Sequence, residues 1–268
     1  MTSGQKVIKY LALAFAFFII ISIIKGIAMG IGSVNYFYND NSKTITKEME
    51  KTVINNENIN NLNINLNYSS LEIKTGNELA VETNNTKVTI KDSNNTLEVK
   101  ENSSNWYNHN YQVIVYIPEN IIFDKVNISN GAGEVNISSI SCNDFDYSIG
   151  AGKTSINNLV ANDKAKIDGG AGKINIDNGI IGTLNLDMGV GKTDISANIT
   201  ADSKISAGVG ALNLNLLNTM SNYKIRVDKG LGSININGHE VDDESTTGSG
   251  LTDIDVDGGV GSINISTK

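Results

Sequence analysis

Residues 150–195 read GAGKTSINNLVANDKAKIDGGAGKINIDNGIIGTLNLDMGVGKTDI, and within them one short unit, Gly-apolar-Gly, returns three times. Followed in both directions, the unit occurs at Gly131/Gly133, Gly150/Gly152, Gly170/Gly172, Gly189/Gly191, Gly208/Gly210, Gly230/Gly232 and Gly259/Gly261. The first glycines are 19, 20, 19, 19, 22 and 29 residues apart, and a period near 20 marks a repeat architecture. Before each corner, apolar residues alternate with polar ones, as at Val126/Ile128, Leu184/Leu186 and Ile254/Val256; after it the same alternation returns, as at Val135/Ile137, Ile174/Ile176 and Leu212/Leu214. Between the last two apolar columns stand Asn136, Ser155, Asn175, Asp194, Asn213, Asn235 and Asn264. Each repeat therefore reads as two half-buried strands joined by a glycine corner. Glycine suits a sharp turn because the chain visits φ > 0 there, a region costly for other residues. The residue inside the corner, from Ala132 and Ala151 to Leu231 and Val260, is expected to point inward.

Upstream, the pairs Leu62/Ile64, Leu71/Ile73, Leu79/Val81, Val88/Ile90 and Leu97/Val99 step by 8 or 9 residues, the half-period of the glycine array. Coiling is thus expected from about Ile59, with some ten coils stacked over roughly 50 Å at about 4.8 Å each. The fold class that follows is all-β: a single-stranded parallel β-helix, or solenoid, of about 19–20 residues per coil, with irregular coils over 59–125 and glycine-corner repeats over 126–268. Such a body buries its core between coils. The net charge of −8 and the absence of a basic stripe argue against nucleic acid. Cys142, the single cysteine, has no partner for an internal disulfide.

Residues 1–34 differ in kind. Lys6 and Lys9 precede an apolar run over 10–24, interrupted by Lys25 and resumed to Val34. If Lys25 snorkels, the helix is long enough to span, so 1–34 read as a cytoplasmic tip and transmembrane anchor with residues 7–31 in the membrane. A cleaved signal peptide is the alternative, but no clear Ala-x-Ala site follows. Charge followed by apolar run favours an inside N-terminus, although Lys25, Lys43 and Lys47 blunt the positive-inside rule. Residues 35–58 read as a polar stalk, partly helical over 46–53.

Two interruptions break the repeat. Residues 101–111 hold the only tryptophan, and a loop with aromatics on a rigid scaffold is where binding is expected: Trp106, Tyr107, His109 and Tyr111 are the candidates, unless the aromatics fold back over the solenoid as a side cover. Residues 238–250 carry Glu240, Asp242, Asp243 and Glu244 near His239, which read as a tolerated surface insertion before a cation site. The chain ends at Lys268 just after a strand, leaving an open edge through which copies could associate.

Motifs tested one by one mostly fail. Gly152-Lys153-Thr154 and Gly191-Lys192-Thr193 lack the earlier glycine of a phosphate-binding loop, Tyr147 and Leu186 standing there instead. The calcium nonapeptide requires aspartate where this chain has Ile174 and Ile263. Asp253-x-Asp255-x-Asp257 begins like an EF-hand loop, but Asn264 stands at the twelfth position in place of glutamate. One column remains: Asp168, Asp187, Asp228 and Asp257, two residues before their corners, would repel when stacked unless a cation or Lys153, Lys173 and Lys192 screen them. With a single arginine, Arg226, and a regular carboxylate column that is half serine, no catalytic constellation emerges and no cofactor is expected.

The segments GAGKTSINNL, GGAGKINID, GVGKTDIS and GLGSINING, with VIVYIPENIIFDKVNIS upstream and one N-terminal membrane segment, resemble the bacterial toast-rack domain, an adhesin-like family of unknown function. The resemblance covers about 59–268. It implies a β-helix-like domain displayed outside the cytoplasmic membrane, with relatives linked to envelope-stress sensing and adhesion-like roles, and it carries over no catalytic residues. The aromatic loop and acidic insertion depart from shorter members. The expected function is a membrane-anchored, non-enzymatic scaffold with an envelope protein or glycan as partner; the alternatives are a polysaccharide-active β-helix enzyme and a cation-stabilised stalk.

Overall fold

Alternation of buried and exposed residues runs along both arms of each corner and is interrupted at the glycines. Phe123–Ile137 is one continuous strand across Gly131-Ala132-Gly133, with Val126, Ile128, Val135 and Ile137 in the core. A computed structural model describes residues 48–102 and 111–268. Ile140–Ile156 stacks on that strand in parallel, Ala132 beside Ala151 and Ile137 beside Ile156, and Leu159–Ile176 stacks next. Gly179–Asp187 with Val190–Ile199, then Ser203–Ser206 with Val209–Leu216, continue the stack in the same register. Thr154, which enters the aliphatic column, bonds the phenol of buried Tyr147.

The two glycines of a corner serve different needs. Gly152 has φ +141°, and a Cβ there would lie 1.9 Å from the Gly133 carbonyl oxygen. Gly150 needs no positive φ, but its Cβ would lie 2.3 Å from the Gly131 oxygen, so close approach alone excludes a side chain. The residue between them is not inward. Ala132, Ala151, Ala171, Val190, Val209 and Val260 are half-buried and lie outside the core, and Leu231 is 51% exposed. A convex corner turns this side chain away from the interior that its flanking strands enclose.

Chain order and spatial order part company at the C-terminal end. Val209–Leu216 pairs in parallel with Val260–Thr267, which pairs on its other side with Leu231–Ile236. Likewise Thr252–Asp257 lies between Ser203–Ser206 and Tyr223–Asp228. The last coil is therefore inserted beneath the preceding one, and the Gly230 coil is outermost. The expected open edge at Lys268 is corrected accordingly: both sides of its strand are paired. The outermost coil is met by the insertion itself, whose His239–Glu240 and Ser245–Thr247 add antiparallel strands to Leu231–Ile236 and Tyr223–Asp228.

The N-terminal end repeats this device. Asn61–Leu66 and Ser70–Thr75 form one coil, inserted between the Gly131 coil and an outer coil made of Thr96–Glu101 and Gln112–Ile117. Val88–Ser93 pairs antiparallel with Thr96–Glu101 through a two-residue turn, Asn94-Asn95, both at positive φ. Ala80–Thr83 pairs antiparallel with Gln112–Ile117, and Glu50–Val53 with Ala80–Thr83. The expected run of half-coils from Ile59 is thus corrected: Leu79/Val81 and Val88/Ile90 stand on closing antiparallel strands. Residues 50–53, expected to be helical, form a strand, and the Ile54 amide bonds the Leu79 carbonyl at 2.9 Å. Thr46–Lys268 forms one compact unit. The anchor expected at 7–31 lies outside the described residues, among which no helix is long and apolar enough to cross a membrane.

Candidate functional site

The corner of the Asn61–Thr75 coil has no glycine and is closed by a carboxylate. Elsewhere a corner amide donates to the neighbouring corner carbonyl, as Val209 does to Gly189 at 2.9 Å and Ala132 to Asn67 at 2.8 Å. On the outer side of Asn67 the described strand Thr96–Glu101 ends at Glu101. Glu101 supplies the acceptor there. Its Oε2 accepts the backbone amides of Asn67, Tyr68 and Ser69 at 2.7, 3.0 and 3.2 Å, and its Oε1 accepts the Asn85 side-chain amide at 2.9 Å. Glu101 is 5% exposed, and the three amides and Asn85 offset the cost of burying its charge. Glu101 went unmarked in the sequence reading, although it stands in phase with Leu97 and Val99 on an inward face, a signal that could have found it.

The loop assigned to binding springs from this corner. Trp106, Tyr107 and His109 lie outside the described residues. Tyr111, at the return, is half-buried, and its carbonyl accepts from the amide and hydroxyl of Ser70 at 2.9 and 3.2 Å. Both flanks of the loop are thus fixed to the stack.

The aspartate column is brought together as expected, but its screening differs. Asp168 lies beside Asp187, and Asp257 beside Asp228. Lys166 pairs with Asp168 at 2.6 Å and Lys204 with Asp257 at 3.4 Å. Lys153, Lys173 and Lys192 turn to the other side of the corner, Lys153 to Glu134 and the other two to Asp194. Side chains on one strand face alternate by two residues, so Lys166 reaches Asp168 directly while a lysine past the corner faces the next run. In the acidic insertion, Asp243 accepts the amides of Lys229 and Glu244, and Glu240 pairs with Lys229 at 2.9 Å. Among the described residues no group of three His, Cys, Asp or Glu side chains could hold a metal ion. Cys142 is buried, which pushes its thiol up to about 12, with Asp144 adding to the effect.

The run after the corner carries an ordered ladder. Asn235 donates to Asn264 at 3.3 Å, Asn264 to Asn213 at 3.0 Å and Asn213 to Asp194 at 2.6 Å, and Asp194 also receives Lys192 at 2.9 Å and Lys173 at 3.5 Å. Burial works to raise the Asp194 carboxyl, but Asn213 and the two lysines outweigh it and hold the group below its ordinary range. One column further, Ser266 donates to Asn215 at 3.2 Å.

A parallel stack with glycine corners, closed at each end, is the setting in which the sequence comparisons fall. Residues 41–259 match the family model Toastrack DUF4097. The chain belongs to this family. Among solved structures, the toast-rack chain is similar to a candidate cell adhesion protein from Clostridium sporogenes, at 19% identity over 82% of this chain and 99% of that one, with a TM-score of 0.39. It is also similar to a candidate adhesin from Bacteroides fragilis, at 15% identity over 82% and 98% with a TM-score of 0.40, and to one from Parabacteroides merdae, at 13% over 82% and 95% with 0.38. Among curated proteins none matches this toast-rack chain.

Proposed function

We propose that this toast-rack protein is a non-catalytic binding scaffold, held at the cell membrane by residues 7–31 and displaying residues 59–268 outside it to an envelope protein or glycan. The observation that carries this reading is the disposition of the polar side chains. They are spread in columns along the stack and engaged with one another in ladders and ion pairs, whereas catalysis requires titratable groups converging on one concavity. A surface hollow of about 330 Å³ is lined by Lys51, Glu78 and Tyr116, and there Lys51 pairs with Glu78 at 3.0 Å and lies over the Tyr116 ring. The binding element is the loop of Trp106, Tyr107, His109 and Tyr111, whose flanks Glu101 and Tyr111 are tied to the stack. Full-length protein in detergent should retain a partner from envelope extract, and Trp106→Ala with Tyr107→Ala should abolish retention. Undiminished capture by that variant would remove the loop from the site, and turnover of a wall polymer would replace the scaffold reading with an enzymatic one.

A further inference from the structure

The permuted C-terminal end juxtaposes coils that differ from the rest in where their charge lies. On the run before the corner, the Gly208, Gly259 and Gly230 coils are heavily charged: Arg226 binds Asp255 and Asp253 at 2.7 and 3.0 Å, and Lys204 pairs with Asp257. On the run after the corner, the outward positions from Ala211 to Asn215, Ser262 to Ser266 and Ser233 to Asn235 carry no charge, and Lys268, two residues past Ser266, is the next charged residue along the Gly259 coil. Asn213, Asn264 and Asn235 form the middle column. It is flanked by Ala211, Ser262 and Ser233 on one side and by Asn215 and Ser266 on the other, while Asn237, at positive φ past the end of its strand, engages Thr267. Asp194 with its lysines bounds this grid at one end, and Glu240, the register partner of Asn235, bounds it at the other.

We infer that this uncharged grid is a binding surface for a neutral, hydroxyl-rich glycan chain lying across the outer coils. Three features point to that class. The grid offers only amides, hydroxyls and one methyl, so a charged ligand would meet no counter-charge on it. It lacks the aromatic, methionine and arginine anchors on which protein partners rely. It is an open sheet face, which suits an extended polymer better than a small molecule. The ladder also fixes the side chains in advance. Asn264 spends one amide N–H on Asn213 and one oxygen lone pair on Asn235, leaving one donor and one acceptor for a ligand. Rows repeat at about 4.8 Å and columns at about 6.8 Å, so the free groups form a regular lattice whose side-chain entropy is already lost.

This inference rests on the scaffold reading and names a second contact for it, separate from the Trp106 loop. The test is native gel electrophoresis of full-length protein in detergent, in gels containing a soluble neutral polysaccharide (an α-glucan, a β-glucan or a galactomannan) or, in parallel, polygalacturonate. Retardation is expected in at least one neutral gel and not in the charged one. Asn264→Lys, at an exposed position, and the double variant Asn213→Ala with Asn264→Ala should each weaken retardation about tenfold or more, with the melting curve of Asn264→Lys showing that the fold persists. Unretarded migration in every neutral gel overturns the inference, as does undiminished retardation of Asn264→Lys. A dimer in sedimentation that Asn264→Lys dissolves would assign the grid to a second copy of the chain and overturn it too. Envelope capture through Trp106 is scored on the same preparations: if it survives while glycan binding is absent, this inference fails alone, and if neither is seen the scaffold reading fails with it.

Discussion

At the residue scale, the stacked corner glycine Gly191 differs from the turn glycine Gly238 by what lies against it. Gly191 has φ +140°, and a Cβ on it would meet the Gly172 oxygen at 1.9 Å, whereas Gly238, at φ +80°, has nothing within 4 Å. Gly191→Ala should therefore cost on the order of 3 kcal/mol or more, since backbone of the neighbouring coil must move. Gly238→Ala should cost about 1 kcal/mol, the conformational penalty alone. Urea unfolding of the two variants compares them directly. Asp194 gives a pH signature with a definite sign. Its carboxyl is depressed in the folded chain, so it contributes stability that is present above the ordinary carboxylate range and lost as pH falls through it towards the folded value. Asp194→Asn should accordingly show a shallower loss of urea midpoint below about pH 4 than the parent chain.

At the scale of the element, both ends of the stack use the same construction: the coil nearest the end of the chain is tucked inside, and the coil next to it in sequence lies outside under antiparallel strands. An inserted coil is hydrogen-bonded on both sides, while the outer one is covered only in part, His239–Glu240 facing just Asn235 and Ile236. Hydrogen exchange should consequently be slower at Ile263 and Ile265, near the chain's end, than at Ile234 and Ile236; the reverse order would mean that the last coil is the free one. At the other end, Glu101 stands in for a strand. Glu101→Ala leaves three adjacent corner amides without an acceptor and should destabilise the body by about 3 kcal/mol, read as a fall in urea midpoint, with Glu101→Gln intermediate because one oxygen remains to accept.

At the scale of the whole molecule, ion pairs recur along the described stack. Asp168 and Asp257 have their own lysines, and the acidic insertion is tied down by Lys229. The cation-stabilised stalk, one alternative from the sequence, therefore predicts the opposite of the present reading in a simple measurement. Chelator should leave the thermal midpoint of the full chain unchanged, and a fall in midpoint restored by calcium would show that the aspartate column needs an ion. In the proposed function, residues 7–31 hold the protein at the envelope and the loop around Trp106 reaches a partner there; capture from envelope extract, with and without Trp106→Ala and Tyr107→Ala, tests the role proposed for the loop.

Periodicity in the sequence determined the glycine corners, the core columns and the in-register neighbours Asp168 and Asp187, because a repeated pattern of apolar and polar residues dictates which face of a strand is buried wherever that strand lies. It left strand direction and coil order open: Leu79/Val81 alternates as well on an antiparallel strand as on a coil, and Ile263/Ile265 would fill a core equally well in the last position or the last but one. Only the tertiary structure decided those. Edges must be hydrogen-bonded and ends must be closed, and that requirement inserted the terminal coils, gave Glu101 its corner and set Asn213, Asn264 and Asn235 side by side from places in the chain as far apart as 51 residues.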